Sequence, residues 1–155
     1  MTHAEDTRNV PHQAEQMFDL VADIKRYPEF LPWCHAIRVR SEEVSDAGKG
    51  LIVADMIARF KGFEERFTTR VSLDREALAI DVAYVDGPFR YLVNTWRFTL
   101  LADRRSRVHF TIDFEFRSRL LQLLARSMFE RALVKLSDAF VKRADALYGA
   151  ADATH

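Results

Sequence analysis

"RVHFTIDFEFRSRLLQLLARSMFERALVKLSDAFVKRADALYG", residues 107 to 149, changes its period in the middle. In the first part Val108, Phe110, Ile112, Phe114 and Phe116 alternate with His109, Thr111, Asp113, Glu115 and Arg117. That is the spacing of a strand with one face buried. From Ser118 onward Leu121, Leu124, Met128, Ala132, Leu136 and Phe140 recur at helical spacing, so an amphipathic helix runs to about Tyr148, with Gly149 as its stop. A one-sided strand followed by a one-sided helix predicts that the helix covers the sheet.

The preceding residues extend the sheet. "AIRVRSEEV" leads to a turn at residues 46–50. "LIVADMIARF" then puts Ile52, Ala54, Met56, Ala58 and Phe60 on one face and Asp55 and Arg59 on the other. After a tight turn at Lys61-Gly62, Phe63, Phe67, Thr69, Val71 and Leu73 share a face opposite Arg66 and Arg70. Residues 77–85 continue with Leu78, Ile80, Val82 and Tyr84. "YLVNTWRFTLL" aligns Leu92, Asn94, Trp96, Phe98 and Leu100, and a turn at Arg104-Arg105-Ser106 leads back to the opening strand. Short connections imply an antiparallel meander.

The N-terminal part is different. Residues 3–9 read as a short polar edge strand. Pro11 suits the first turn of a helix that carries Met17, Phe18, Leu20 and Val21. Asp23 can cap a second short helix, which ends near Tyr27 because of Pro28. The expected fold class is α+β: a curved antiparallel sheet around a long C-terminal helix, with two short helices near the N-terminus. It forms one domain over residues 1–149, with a disordered tail at 150–155.

The chain has 155 residues, 48 % of them apolar and 30 % charged, enough for one globular domain with a sizeable core. Twelve Phe imply a wide apolar surface, in a core or a cavity wall. Formal charge is zero, from 23 basic and 23 acidic residues, which argues against a nucleic-acid binder that depends on overall basicity, though not against a local patch, and no DNA partner is expected. The single cysteine excludes an internal disulfide and suits a reducing compartment. Met1 to Val10 has neither signal- nor transit-peptide character, and no run approaches the ~18 apolar residues of a membrane span. The expected location is cytoplasmic, peripheral to the inner membrane at most.

Catalytic signals are weak. Cys34 and His35 are adjacent, so on extended backbone they face opposite ways. Glu64 and Glu65 straddle the sheet, the histidines lack metal-ligand spacing, and there is no phosphate-binding glycine loop. No catalytic residue, metal site or required cofactor is expected.

Three blocks resemble the coenzyme Q-binding START-like proteins of the polyketide-cyclase and lipid-transfer superfamily: "LVADIKRYPEFLPWC" at residues 20–34, "GPFRYLVNTWRF" at 87–98 and the closing helix at 118–149. The resemblance implies a helix-grip fold, a seven-stranded sheet gripping the last helix around an apolar tunnel. It implies non-enzymatic binding of ubiquinone or a related isoprenoid lipid in support of respiration. It also implies a bacterial member, since mitochondrial members carry a presequence. Some bacterial relatives are described instead as ribosome association toxins that oppose subunit joining.

On this resemblance the tunnel is lined by Phe60, Phe67, Trp96, Phe98 and Phe110 with Leu121, Leu124 and Met128. Asn94 and Tyr84 offer polar groups to quinone carbonyls, or else bond within the protein. Phe30, Leu31 and Trp33, in the proline-stiffened "PEFLPWC", stand at the tunnel mouth against ligand or bilayer, or else plug the core. Ala54 and Ala58 leave space for a cavity, or let the helix approach closely. The last helix carries Arg117, Arg119, Arg126, Arg131, Lys135, Lys142 and Arg143 against Glu130 and Asp138. This basic face meets anionic lipid or ribosomal RNA, or is simply solvated.

Overall fold

The computed structural model describes residues 2–60 and 62–149, apart from the side chains of Phe60, Phe129 and Glu130. The order is β1 (Thr2–Val10), α1 (Ala14–Ala22), a 3₁₀ helix (Ile24–Glu29), β2 (Cys34–Val44), β3 (Lys49–Phe60), β4 (Phe63–Asp74), β5 (Ala79–Asp86), β6 (Phe89–Leu100), β7 (Ser106–Phe116) and α2 (Arg119–Tyr148). The seven strands form one antiparallel sheet in the order β1-β7-β6-β5-β4-β3-β2. β2 to β7 are a meander, and β1 returns to the free edge of β7. The expected α+β class, with a long closing helix and short N-terminal helices, is what the chain adopts.

Local chemistry sets the element ends. α1 starts at Ala14 rather than at Pro11, because Gln13 and Gln16 form the cap: the Gln13 N–H donates to Gln16 Oε1 at 3.0 Å. The 3₁₀ helix runs through Pro28 to Glu29, past the stop expected at Tyr27. Asp23 does not cap it by its side chain. Asp23 instead pairs with Arg26 at 3.3 Å. Leu78, expected in β5, lies before it with φ +53°, and the β6–β7 turn centres on Asp103 and Arg104, φ 59° and 60°. Leu100 ends β6 in solvent, so its alternation carries no burial. At α2 the Ser118 hydroxyl accepts from the Leu121 N–H, and Gly149 ends the helix at φ +90°. The Lys61 half of the Lys61-Gly62 turn and the tail at 150–155 lie outside the described residues.

The concave face packs in two clusters. The larger joins Met17, Phe18 and Val21 of α1 to Ile80, Trp96, Phe98 and Phe110 of the sheet and to Phe140 and Ala144 of α2. The smaller gathers Phe67, Phe116 and Ala125 around Phe89, Leu92 and Phe114. Gly87, in the β5–β6 turn, sits against this second cluster. A Cβ there would stand 2.6 Å from Phe67 Cβ, and φ is +139°, so a larger residue would displace Phe67.

Two outward residues, Asp55 and Thr68, break the alternation rule. Asp55, on the convex face, is only 2 % exposed. Its carboxylate accepts from Thr68 Oγ1 at 2.5 Å and from Arg40 Nε at 2.9 Å, which joins β2, β3 and β4. Desolvation pushes its pKa up, but the Thr68 and Arg40 hydrogen bonds and the Arg40 and Arg66 charges outweigh it and hold the carboxyl below its ordinary value.

Candidate functional site

Between the two clusters, under α2, lies a cavity of about 470 Å³. That volume is in the range of ligand sites, ~300–1,000 Å³. β3 and β4 form its floor, with Ala54, Met56 and Ala58 on β3 and Glu65, Phe67, Thr69 and Val71 on β4. β6 and β7 add Leu92, Asn94, Trp96, Phe110 and Ile112. α2 is the roof, through Leu121, Leu124, Ala125, Met128, Ala132, Leu133 and Leu136. Ala54 and Ala58 therefore leave space under the helix, as the cavity alternative expected.

The two ends differ. At one end Ile24, Trp96, Phe110 and Phe140 are buried. At the other end Phe63 is exposed and Trp33, Glu65, Leu121 and Leu124 are half-buried, which marks the mouth. The Arg59 N–H donates to the Trp33 carbonyl at 2.9 Å, which ties the loop before β2 to the β3–β4 hairpin.

Of the residues expected to meet a ligand, Leu31, Trp33, Phe67, Asn94, Trp96, Phe110, Leu121, Leu124 and Met128 line this cavity. Three others do not. Phe98 lies behind Trp96 and packs edge-on to Phe18 in the core. Phe30 turns to Tyr27 and Phe140 with Arg143 over its ring, so it plugs the closed end. The Tyr84 hydroxyl accepts from the Phe89 N–H at 3.1 Å and fastens the β5–β6 turn. The Phe60 side chain is outside the described set. Asn94 points inward but is engaged at both ends of its amide: Nδ2 donates to the Thr111 carbonyl at 2.8 Å, and Oδ1 accepts from Trp96 Nε1 at 3.1 Å. Tyr27 and Glu65 also line the cavity and were not anticipated. Glu65 shares the parity of Phe63 and Phe67, so the β4 alternation already carried that signal.

Reactive groups are quiet here. Burial pushes the Cys34 thiol up to about 11, so it is protonated at neutral pH. The Tyr27 hydroxyl donates to the Val21 carbonyl, and burial raises its pKa. Among the described residues no group of three or more His, Cys, Asp or Glu is placed to hold a metal, and no helix is long and apolar enough to cross a membrane.

A sheet closed on a long helix around an apolar cavity defines the START-like, helix-grip class. A START superfamily protein from Mycobacterium smegmatis superposes with TM-score 0.79 over 94 % of this chain and 98 % of its own, at 16 % identity. Residues 10–141 match the polyketide cyclase / dehydrase and lipid transport family, and the chain belongs to that family. The ribosome association toxin RatA of Rickettsia prowazekii is 35 % identical over 147 residues, 93 % of this chain and 97 % of the toxin. The mitochondrial coenzyme Q-binding protein COQ10 homolog B of Xenopus laevis is 32 % identical over 139 residues, 87 % of this chain and 54 % of that protein. The 18 kDa protein CC1736 of Caulobacter crescentus is 37 % identical, with TM-score 0.80 over 97 % of this chain and 100 % of its own.

Proposed function

We propose that this protein binds ubiquinone or a related isoprenoid lipid in the cavity under α2 and carries it, without catalysis, in support of respiration. The observation that carries this reading is the cavity itself: about 470 Å³ with walls almost wholly apolar, in a chain similar to a coenzyme Q-binding protein. Burying an isoprenoid contributes about 0.8 kcal/mol per CH₂, so two or three isoprene units supply on the order of 10 kcal/mol before association entropy is subtracted. Such a carrier works in the cytoplasm and meets the membrane peripherally. Arg119 and Arg126, exposed on α2 beside Leu120 and Leu123, suit an anionic lipid surface.

The test is extraction of protein purified from a quinone-producing bacterium, with mass spectrometry of the extract. A stoichiometric isoprenoid quinone supports the reading, and a well-folded protein with an empty extract contradicts it.

A second reading, a regulator that binds the ribosome, is favoured by the 35 % identity to a ribosome association toxin along nearly the full length of both chains. It expects salt-sensitive sedimentation with a ribosomal subunit, lost on reversal of the exposed Arg126 and Arg131.

A further inference from the structure

Among the described residues that line the cavity, Glu65 is the sole charged side chain. It stands between Phe63 and Phe67 along β4 and opposite Ala58 of β3, whose small side chain leaves room above the sheet. Its neighbours in sequence are on the other face, where Glu64 is engaged by Arg59 at 2.5 Å. Glu65 has neither a hydrogen bond nor an ion pair among the described residues. Of the other polar groups of the cavity, the Tyr27 hydroxyl is engaged on a carbonyl and the Asn94 amide on both sides, while Thr69, further inward on the same face of β4, adds a neutral hydroxyl.

An ionised carboxylate accepts hydrogen bonds and donates none. A partly dehydrated one lacking a donor is costly, so a ligand that brings a donor to it gains more than one that does not. The two oxidation states of a quinone ring differ in this respect. The quinone presents only carbonyl oxygens, which would meet Glu65 acceptor to acceptor. The hydroquinone presents O–H donors. Val71, six residues further along β4, also lines the cavity, so the space extends about 20 Å inward from Glu65 at ~3.3 Å per residue. An apolar tail can lie along that length with the ring at the mouth.

Resting on the lipid-carrier reading above, we infer that the cavity selects a hydroxyl-bearing head, the reduced hydroquinone over the quinone, through a hydrogen bond from its O–H to Glu65. The protein is then a carrier of the reduced lipid.

The experiment is anaerobic titration of the full chain with decylhydroquinone and with decylquinone, repeated on Glu65→Gln and Glu65→Leu with melting temperatures as the folding control. The wild type is expected to favour the hydroquinone by about tenfold or more, the scale of a hydrogen bond to a charged group. Glu65→Gln, whose amide both donates and accepts, brings the ratio near one. Glu65→Leu loses the preference while still binding the quinone. Equal affinity for both forms in the wild type, or a preference that survives in both variants, overturns the head-group assignment and leaves the carrier reading standing. Binding of neither form overturns the carrier reading, and this inference with it.

Discussion

The two halves of α2 have the same hydrophobic spacing and different surroundings. Its C-terminal half is fixed along the face turned to the rest of the protein. Phe140 is 4 % exposed among Tyr27, Phe30 and Trp96, and Ala144 is fully buried. Around them Arg8 Nη1 donates to Asp138 at 2.6 Å, the Ser137 hydroxyl to Asp6 at 2.6 Å, Arg143 to Glu29 at 2.8 Å and the Tyr148 hydroxyl to the Gln16 carbonyl at 3.1 Å, while His12 Nε2 lies 2.8 Å from Asp145. The N-terminal half is pinned near its start, where Gln122 accepts from the Phe116 N–H and donates to Thr2, each at 2.8 Å. Beyond that pin Leu124, Ala125 and Met128 span empty space and remain half-buried. One half of the helix supplies stability and the other roofs a site. Apolar spacing reports that a face is covered, not whether what covers it is protein.

Substitutions should separate the halves. Phe140→Ala is expected to cost about 3–5 kcal/mol in chemical denaturation, the usual range for a buried phenylalanine. Loss of under 1 kcal/mol would show that the closed end is not the structural half. Next in size is Asp55→Asn, which weakens the pin joining β2, β3 and β4 beneath the open half. It should cost about 1–3 kcal/mol at neutral pH, as for hydrogen bonds to a charged group.

Asp55 also sets a pH dependence. Its carboxyl is held below the ordinary value of 3.8 in the folded state. Its contribution is therefore fully present above that value and is lost as pH falls through the lower folded value. Wild-type melting curves should show this acid-side loss, and the Asn variant should lack the Asp55 share of it. The smallest effect is expected of Leu124→Ala, about 1 kcal/mol or less in stability, with a clear change in affinity for an apolar ligand. A large loss of stability with unchanged binding would reverse the assignment of the two halves.

The sheet and the helix that covers it were legible because alternation and helical spacing are properties of single elements. What was not legible depends on neighbours. Phe98 and Trp96 share a parity, but α1 packs against the first, while the cavity reaches the second. Tyr84 follows the inward pattern, yet its hydroxyl serves a turn. Asp55 reads as a solvated strand residue until Arg40 and Thr68 close over it, and no local pattern announces a partner fifteen residues away. The mouth residues divided for the same reason. Leu31 and Trp33 turn to the cavity, while Phe30, one position earlier, turns to Phe140 and Arg143.

The most direct test of a ligand-holding cavity fills it. Ala58→Phe places a ring in the open half, away from the packed end. Trp33 and Trp96, the two tryptophans of the chain, both line the cavity and report on its contents by fluorescence. Titration with decylquinone should quench the wild type saturably and leave Ala58→Phe unchanged at an undiminished melting temperature. Equal saturable quenching in both proteins would place the ligand elsewhere and contradict the account.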